Sequence, residues 1–258
     1  DENLVGDRMD TNVISVTTME DQESVAEKFK KYDLTAMPVV DGENRLVGIV
    51  TVDDAIDVME EEATEDIEKM AAMTPSDKPY LKTSVWDIYK HRIPWLMLLM
   101  VSATFTGLII TKFEHALAAQ VVLTAYIPML MDTGGNSGSQ SSVTIIRGLS
   151  LSEIHFKDIF AVLWKEIRVA VLCGLSLAVV NFAKLLLLDR VGAQVALVVS
   201  LTLVVTVATA KFIGCTLPLL AKKIGFDPAV MASPLITTIV DALALLTYFG
   251  IASSLLHI

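Results

Sequence analysis

Cysteine is almost absent from this chain: Cys173 and Cys215 are the only two in 258 residues. Both lie inside apolar runs without ligand-like spacing, which argues against a disulfide framework or a zinc centre and leaves two membrane-buried thiols packing as small hydrophobes. Charge is scarce too, at 19% of residues against 53% hydrophobic, with a mean hydropathy of +0.57. That balance is too apolar for a soluble domain of this size. Basic residues are rare at the start. Residues 1–79 hold 21 Asp plus Glu but 7 Lys plus Arg, a net −14, leaving 9 acidic and 13 basic residues, a net +4, in 80–258. An acidic head of this kind repels nucleic acid and anionic lipid and attracts cations. The opening stretch DENLVGDRMD has neither the basic start nor the apolar core of a secretory signal.

What is present divides the chain into three parts, 1–53, 54–92 and 93–258. From Val13 onward NVISVT reads as a strand, DQESVAEKFKKYD as an amphipathic helix, AMPVVD and RLVGIVT as buried strands, and VDDAIDVMEEEATEDIEKM as a second helix capped by Thr51 or Asp53. The stretch 74–92 reads as a linker and a short interfacial helix, with Trp86, Tyr89, Lys90 and Arg92 suited to lipid headgroups. After Ile93 five segments are long and apolar enough to span a bilayer, about 93–112, 116–146, 159–188, 193–221 and 229–256. The expected fold is therefore a mainly α membrane protein, a five-transmembrane-helix bundle preceded by a small α/β domain and a long acidic connecting helix. With the acidic head in the cytoplasm, Lys82, Lys90, Arg92, Arg147, Lys157, Lys165, Arg168, Lys222 and Lys223 fall on inner flanks, and only Lys112, Lys184 and Arg190 fall outside. The bias predicts a cell-membrane protein with its N-terminal domain inside and its C-terminus outside.

Three stretches could carry chemistry. Asp53, Asp54, Asp57, Glu60, Glu61, Glu62, Glu65, Asp66 and Glu68 crowd one helix, where like charges three or four apart repel unless something neutralises them. Hard divalent cations are the natural counterions. Within the second span, Gly134, Gly135 and Gly138 permit close backbone approach or a local break, and Asn136, Gln140 and the neighbouring serines must face a polar cavity or another helix. No Lys follows these glycines, so the stretch is not a phosphate loop. In the last span Pro228 and Pro234 interrupt the start, loosening carbonyls near Ser233, and Asp241 shares a face with Thr237 one turn earlier. A carboxylate at the midpoint of an apolar run costs at least a few kcal/mol, so Asp241 either binds a cation or pairs with Lys211 of the fourth span.

Three functions compete. An intramembrane aspartyl protease would use Asp132, in a DTG triplet, together with Asp241, but a second such triplet is missing. A proton-coupled divalent cation transporter would use Asp241 as its proton carrier. A cation channel would bring one Asp per chain around a symmetry axis to hold a hydrated divalent ion, with no enzymatic step.

The stretches AMPVVDGENRLVGIVTVDDAIDVMEEEATEDIEKM, IPMLMDTGGNSGSQSSVTIIRGLS and FDPAVMASPLITTIVDALALLTYFG, in that order, resemble the MgtE family of magnesium channels and transporters over essentially the whole chain. The resemblance implies a homodimer in lipid, with a cytoplasmic CBS region at 1–53, a plug or connecting helix beginning at 54, and a transmembrane pore domain at 93–258. Its pore would take largely hydrated Mg²⁺ at Asp241 with Thr237 beside it, lined and packed by Gly134, Gly135, Asn136, Gln140, Ser233 and Pro234. Asp54, Asp57, Glu62, Glu65 and Asp66 match metal-sensing positions on the helix, Glu23 and Asp33 in the CBS portion, and Asp227 before the last span. By that resemblance the chain is a Mg²⁺-selective channel gated by intracellular Mg²⁺. Family members carry an acidic N-terminal domain and a CBS pair, whereas one repeat is present here, which implies part of a longer protein. CBS pairs bind ATP and related nucleotides through a Thr-x-x-Asp pattern, which Thr51 and Asp54 satisfy in this single repeat.

Overall fold

The computed structural model describes residues 12–76 and 78–256 together with Gly6 and Met9. The chain divides into two compact units, residues 1–66 and 67–258, at a point inside the acidic helix.

The first unit is a three-stranded sheet with two helices. β1 (Val16–Thr17) runs parallel to β2 (Ala36–Val40), and β2 pairs antiparallel with β3 (Leu46–Thr51). α1 (Gln22–Tyr32) is started by the Asp21 carboxylate, which accepts from the Ser24 amide, and is ended by Asp33 in the left-handed region, φ 51°. Val16, Ala26, Phe29, Met37 and Ala55 form the core. β3 departs from the buried strand expected of it: Leu46, Val47 and Ile49 are 67%, 56% and 65% exposed. It is the edge strand of a sheet too small to cover both faces.

α2 (Val52–Met70) follows β3 directly, matching the helix read from its sequence. Asp54 accepts from both the amide and the hydroxyl of Thr51, at 3.2 and 2.8 Å, so the Thr-x-x-Asp pattern ties the first turn of α2 back to the end of β3. Only Ala55 along α2 is buried.

The second unit is a helical bundle. α3 (Val85–Lys112), capped by Ser84, passes through Pro94 without a break, so the expected interfacial helix and the first span are one element and Trp86, Tyr89, Lys90 and Arg92 occupy its first turns. The second span starts later than expected. A short α4 (Glu114–Ala119) and a 3₁₀ turn at Val121–Tyr126 precede α5 (Ile127–Ser150), whose first turn contains Pro128. α6 (Ile159–Leu187), α7 (Ala193–Lys223) and α8 (Ser233–Leu256) lie close to the expected spans. Four segments containing α3, α6, α7 and α8 are long and apolar enough to cross a membrane. The 24 residues of α5, roughly 36 Å long, reach as far but carry the polar Gly-Asn-Ser-Gln stretch.

α7 is the central element, packed against α5, α6 and α8 and buried along most of its length. The glycines of α5 allow close crossing, and the helix continues unbroken through them. Gly214 of α7 lies against the carbonyl of Gly138, so closely that a Cβ would collide with backbone. Leu123, Leu130, Leu185, Leu203, Leu245, Tyr248 and Phe249 belong to the main hydrophobic core.

Candidate cation site

Two contacts bring α5 and the start of α8 together. A 3₁₀ turn at Pro228–Met231 leads into α8, and the buried Ser142 hydroxyl donates to the Met231 carbonyl at 3.0 Å. Pro228 and Pro234 therefore occupy first-turn positions, where a missing N–H costs nothing, and begin these helices instead of interrupting them. One turn on, the hydroxyls of Thr237 and Thr238 both donate to the Pro234 carbonyl, at 2.9 and 3.0 Å. That leaves the lone pairs of Thr237 Oγ1 available as acceptors.

Gly135 lies against Thr237: a Cβ there would stand 2.8 Å from Thr237 Cγ2. This close approach shapes a cleft of about 480 Å³, lined by Ile127, Pro128, Met131, Asp132, Gly135, Asn136, Thr237 and Asp241. Its polar groups are two carboxylates, a hydroxyl and an amide, an oxygen-rich set suited to a hard cation. Six water molecules occupy roughly 180 Å³ at about 30 Å³ each, so a hydrated ion fits. Among the described residues no three His, Cys, Asp or Glu side chains converge on a common point.

The sequence-derived residues separate into those brought together and those that are not. Asp241, Thr237, Gly135 and Asn136 share the cleft. Gly134 packs behind it, where a Cβ would stand 2.7 Å from Thr206 and 2.9 Å from Val240, and Gln140 lines a second, adjoining cavity along α5. Pro234 contributes its carbonyl to the two threonines, and the side chain of Ser233 lies outside the described residues. Asp132, assigned by sequence only to the protease alternative, stands in the cleft with Asp241. Its signal was its spacing: Asp132, Asn136 and Gln140 recur every four residues, one polar stripe along α5.

The pairing of Asp241 with Lys211 does not form. The Lys211 ammonium donates to Ser141 Oγ at 3.3 Å and lies 3.9 Å from Glu166 Oε2, and the Ser141 hydroxyl donates to that same oxygen at 2.6 Å. Lys211 and Asp241 sit on different sides of α5, and the amphipathic start of α6 supplies the counter-charge that sequence reading did not pair.

The sensor candidates are spread along their elements. Glu23 is in the first turn of α1, and Asp33 ends that helix. Asp54 caps α2, Asp57 is exposed on it, and Glu62 accepts from Gln22 at 3.4 Å. Glu65 and Asp66 lie a turn further along. Asp227 is already engaged: one carboxylate oxygen accepts from the Ala229 amide at 2.8 Å and the other from Lys69 at 2.6 Å. The last turn of α2 thus joins the helical unit, where Met70 also packs with Ile146, Ala229 and Ala232. Cys215 is fully buried, whereas Cys173 is exposed on α6 and lines the second cavity.

These features define a class: a multi-pass α-helical membrane protein with a small α/β domain, an acidic connecting helix and an oxygen-lined cleft between two of its spans. Residues 127–251 match the MgtE family, described as a divalent cation transporter, and residues 5–61 match the CBS domain. The chain is 41% identical over 259 residues to the magnesium transporter MgtE of Thermus thermophilus, covering 98% of this chain and 56% of that protein. It is 40% identical over 256 residues to the Bacillus subtilis protein of that name (99% and 56%), and 32% identical over 256 residues to that of Enterococcus faecalis (98% and 55%). The chain belongs to the MgtE family, and it spans about 56% of the length of these relatives.

Proposed function

We propose that this chain is the pore-forming and cation-sensing part of a Mg²⁺ transporter, a channel of the cell membrane rather than an enzyme. The observation that carries the reading is the cleft in which Asp241, Thr237, Asp132 and Asn136 meet between α5 and α8. Mg²⁺ is the substrate, held through its water shell by the two carboxylates and the Thr237 oxygen. Retaining water suits the ion, which gives up its hydration shell reluctantly. A homodimer would set a second copy of the cleft across the symmetry axis and double the carboxylates around the ion. The α5 face supports this, because Asp132 and Asn136 remain exposed at the rim in a single chain.

The acidic helix supplies the gate in this reading. At high internal Mg²⁺, ions screen Asp57, Glu62, Glu65 and their neighbours, the connecting helices of two chains pack together and the pore closes. When Mg²⁺ falls, repulsion separates them. In this reading the helix and the N-terminal unit are cytoplasmic and the C-terminus is outside, which the Lys and Arg bias of the loops supports.

The test is Mg²⁺ uptake by the full-length protein in vesicles. Asp241→Ala is expected to lower uptake by about tenfold or more, as removal of a pore carboxylate does, and unchanged uptake overturns the assignment. Two carboxylates in one cleft also favour a second reading, in which a proton shared by Asp132 and Asp241 is exchanged for the cation. Uptake driven by an imposed pH gradient would support that reading, and conductance without one supports the channel.

A further inference from the structure

Next to the cation cleft along α5, a second cavity of about 520 Å³ opens between α5, α6 and α7. It shares Asp132 and Asn136 with the cleft and is otherwise marked by Ser137, Gln140, Cys173 and Lys211. Lys211 is 4% exposed and Ser137 8%. The Lys211 ammonium has three N–H donors. Its contacts to Ser141 and Glu166 are long, at 3.3 and 3.9 Å, and neither of those residues lines the cavity. Ser137 Oγ is buried with no hydrogen-bond partner among the described residues. An ammonium and a hydroxyl left in this condition inside a bundle cost several kcal/mol unless water reaches them. The cavity has room for more than a dozen molecules at about 30 Å³ each.

Water alone does not make a cation route. Glu166 does not line the cavity and its carboxylate accepts from Ser141, so the charged groups in the lining are Asp132, shared with the cleft, and the Lys211 ammonium. A divalent ion at Asp132 has a second carboxylate, Asp241, in the cleft and the Lys211 ammonium in the adjoining cavity. We propose that this cavity is a hydrated side chamber of the cation path, and that Lys211 is the specificity-determining charge that keeps divalent cations out of it. The proposal rests on the transport reading for what flows past it, while the wetness and sign of the chamber are measurable without transport.

The chamber carries its own reporter. Cys173 lines it, and Cys215 is fully buried. The full-length protein in lipid vesicles is treated with a cationic and an anionic methanethiosulfonate reagent, with Cys173→Ser as the blank. Both charged reagents are expected to modify Cys173, the anionic one preferentially, and Lys211→Gln should raise the cationic-to-anionic rate ratio by about tenfold. Millimolar Mg²⁺ should slow the cationic reagent in Lys211→Gln but not in the wild type, and Lys211→Arg should behave as the wild type. Should Lys211→Gln fail to fold because Glu166 is left unpaired, Lys211→Gln combined with Glu166→Gln restores neutrality and should show the same direction of shift. Reaction with a neutral membrane-permeant reagent alone would mean a dry, lipid-facing surface and overturn the proposal, as would a ratio indifferent to Lys211. Asp241→Ala separates the two readings: unchanged uptake sinks the transport assignment, whereas the Cys173 ratios stand or fall independently.

Discussion

At the scale of single residues, the glycines of α5 show how a missing side chain positions a present one. Thr237 reaches its place in the cleft because Gly135 has no Cβ, and Gly135→Ala would press a methyl to 2.8 Å from the threonine methyl. Thr237 can yield by shifting, so the expected result is a weakened Mg²⁺ response in uptake titrations with a stability loss of about 1–3 kcal/mol. Gly214→Ala is a harsher change, since the added carbon meets the Gly138 carbonyl and neighbouring backbone, which cannot move aside. It should therefore lower the thermal unfolding midpoint in detergent more than Gly135→Ala does, and the reverse order would contradict this packing. The sequence marked Gly135 as a close-approach position, yet its partner Thr237, about a hundred residues away, could not be read from it, and Gly214, which meets Gly138 from 76 residues further on, was not singled out at all. Asp241 is similar. Its cost in an apolar span was plain from the sequence, but the choice between Lys211 and a cation depended on which side of α5 each residue faces.

At the scale of elements, α2 combines strong local signals with little burial. Thr51 and Asp54 cap its start, so Thr51→Val is expected to destabilise the N-terminal unit by about 1 kcal/mol, measured as earlier loss of amide protection along α2 in hydrogen exchange. Its nine carboxylates set a second expectation. Millimolar Mg²⁺ should increase amide protection across Asp57–Asp66 of the full-length protein, and chelation should reverse it; protection insensitive to Mg²⁺ would remove the sensing role from this helix. At its other end, Lys69 and Asp227 tie the last turn to the entrance of α8. Most helices were legible because their apolar runs end in recognisable caps and polar loops. The second span was misread at its beginning: residues 116–126 are as apolar as a span but form a short helix and a 3₁₀ turn. Hydropathy reports which segments avoid water, and it does not distinguish a spanning helix from a folded connection at the membrane edge.

At the scale of the whole molecule, the charge bias of the loops makes a directional prediction. Cysteine introduced in place of Glu43 should be labelled by an impermeant reagent only after cells are opened, and cysteine in place of Arg190 should be labelled in intact cells. The opposite pattern would invert the topology and place the acidic helix on the wrong side to sense internal Mg²⁺. Leu46, Val47 and Ile49 leave an exposed apolar edge on β3 of the N-terminal unit. Composition and periodicity by themselves determined that this protein has an acidic α/β head, a charged connecting helix and membrane-length spans, because solvent preference and helical repeat are properties of neighbouring residues. Only the tertiary structure decided which charges meet: Asp132 with Asp241 in one cleft, Glu166 with Lys211 on the other flank, and Lys69 with Asp227 at the entrance to α8. Those pairings follow from the rotation and crossing of helices packed through glycine, a geometry set by contacts between residues far apart in the chain.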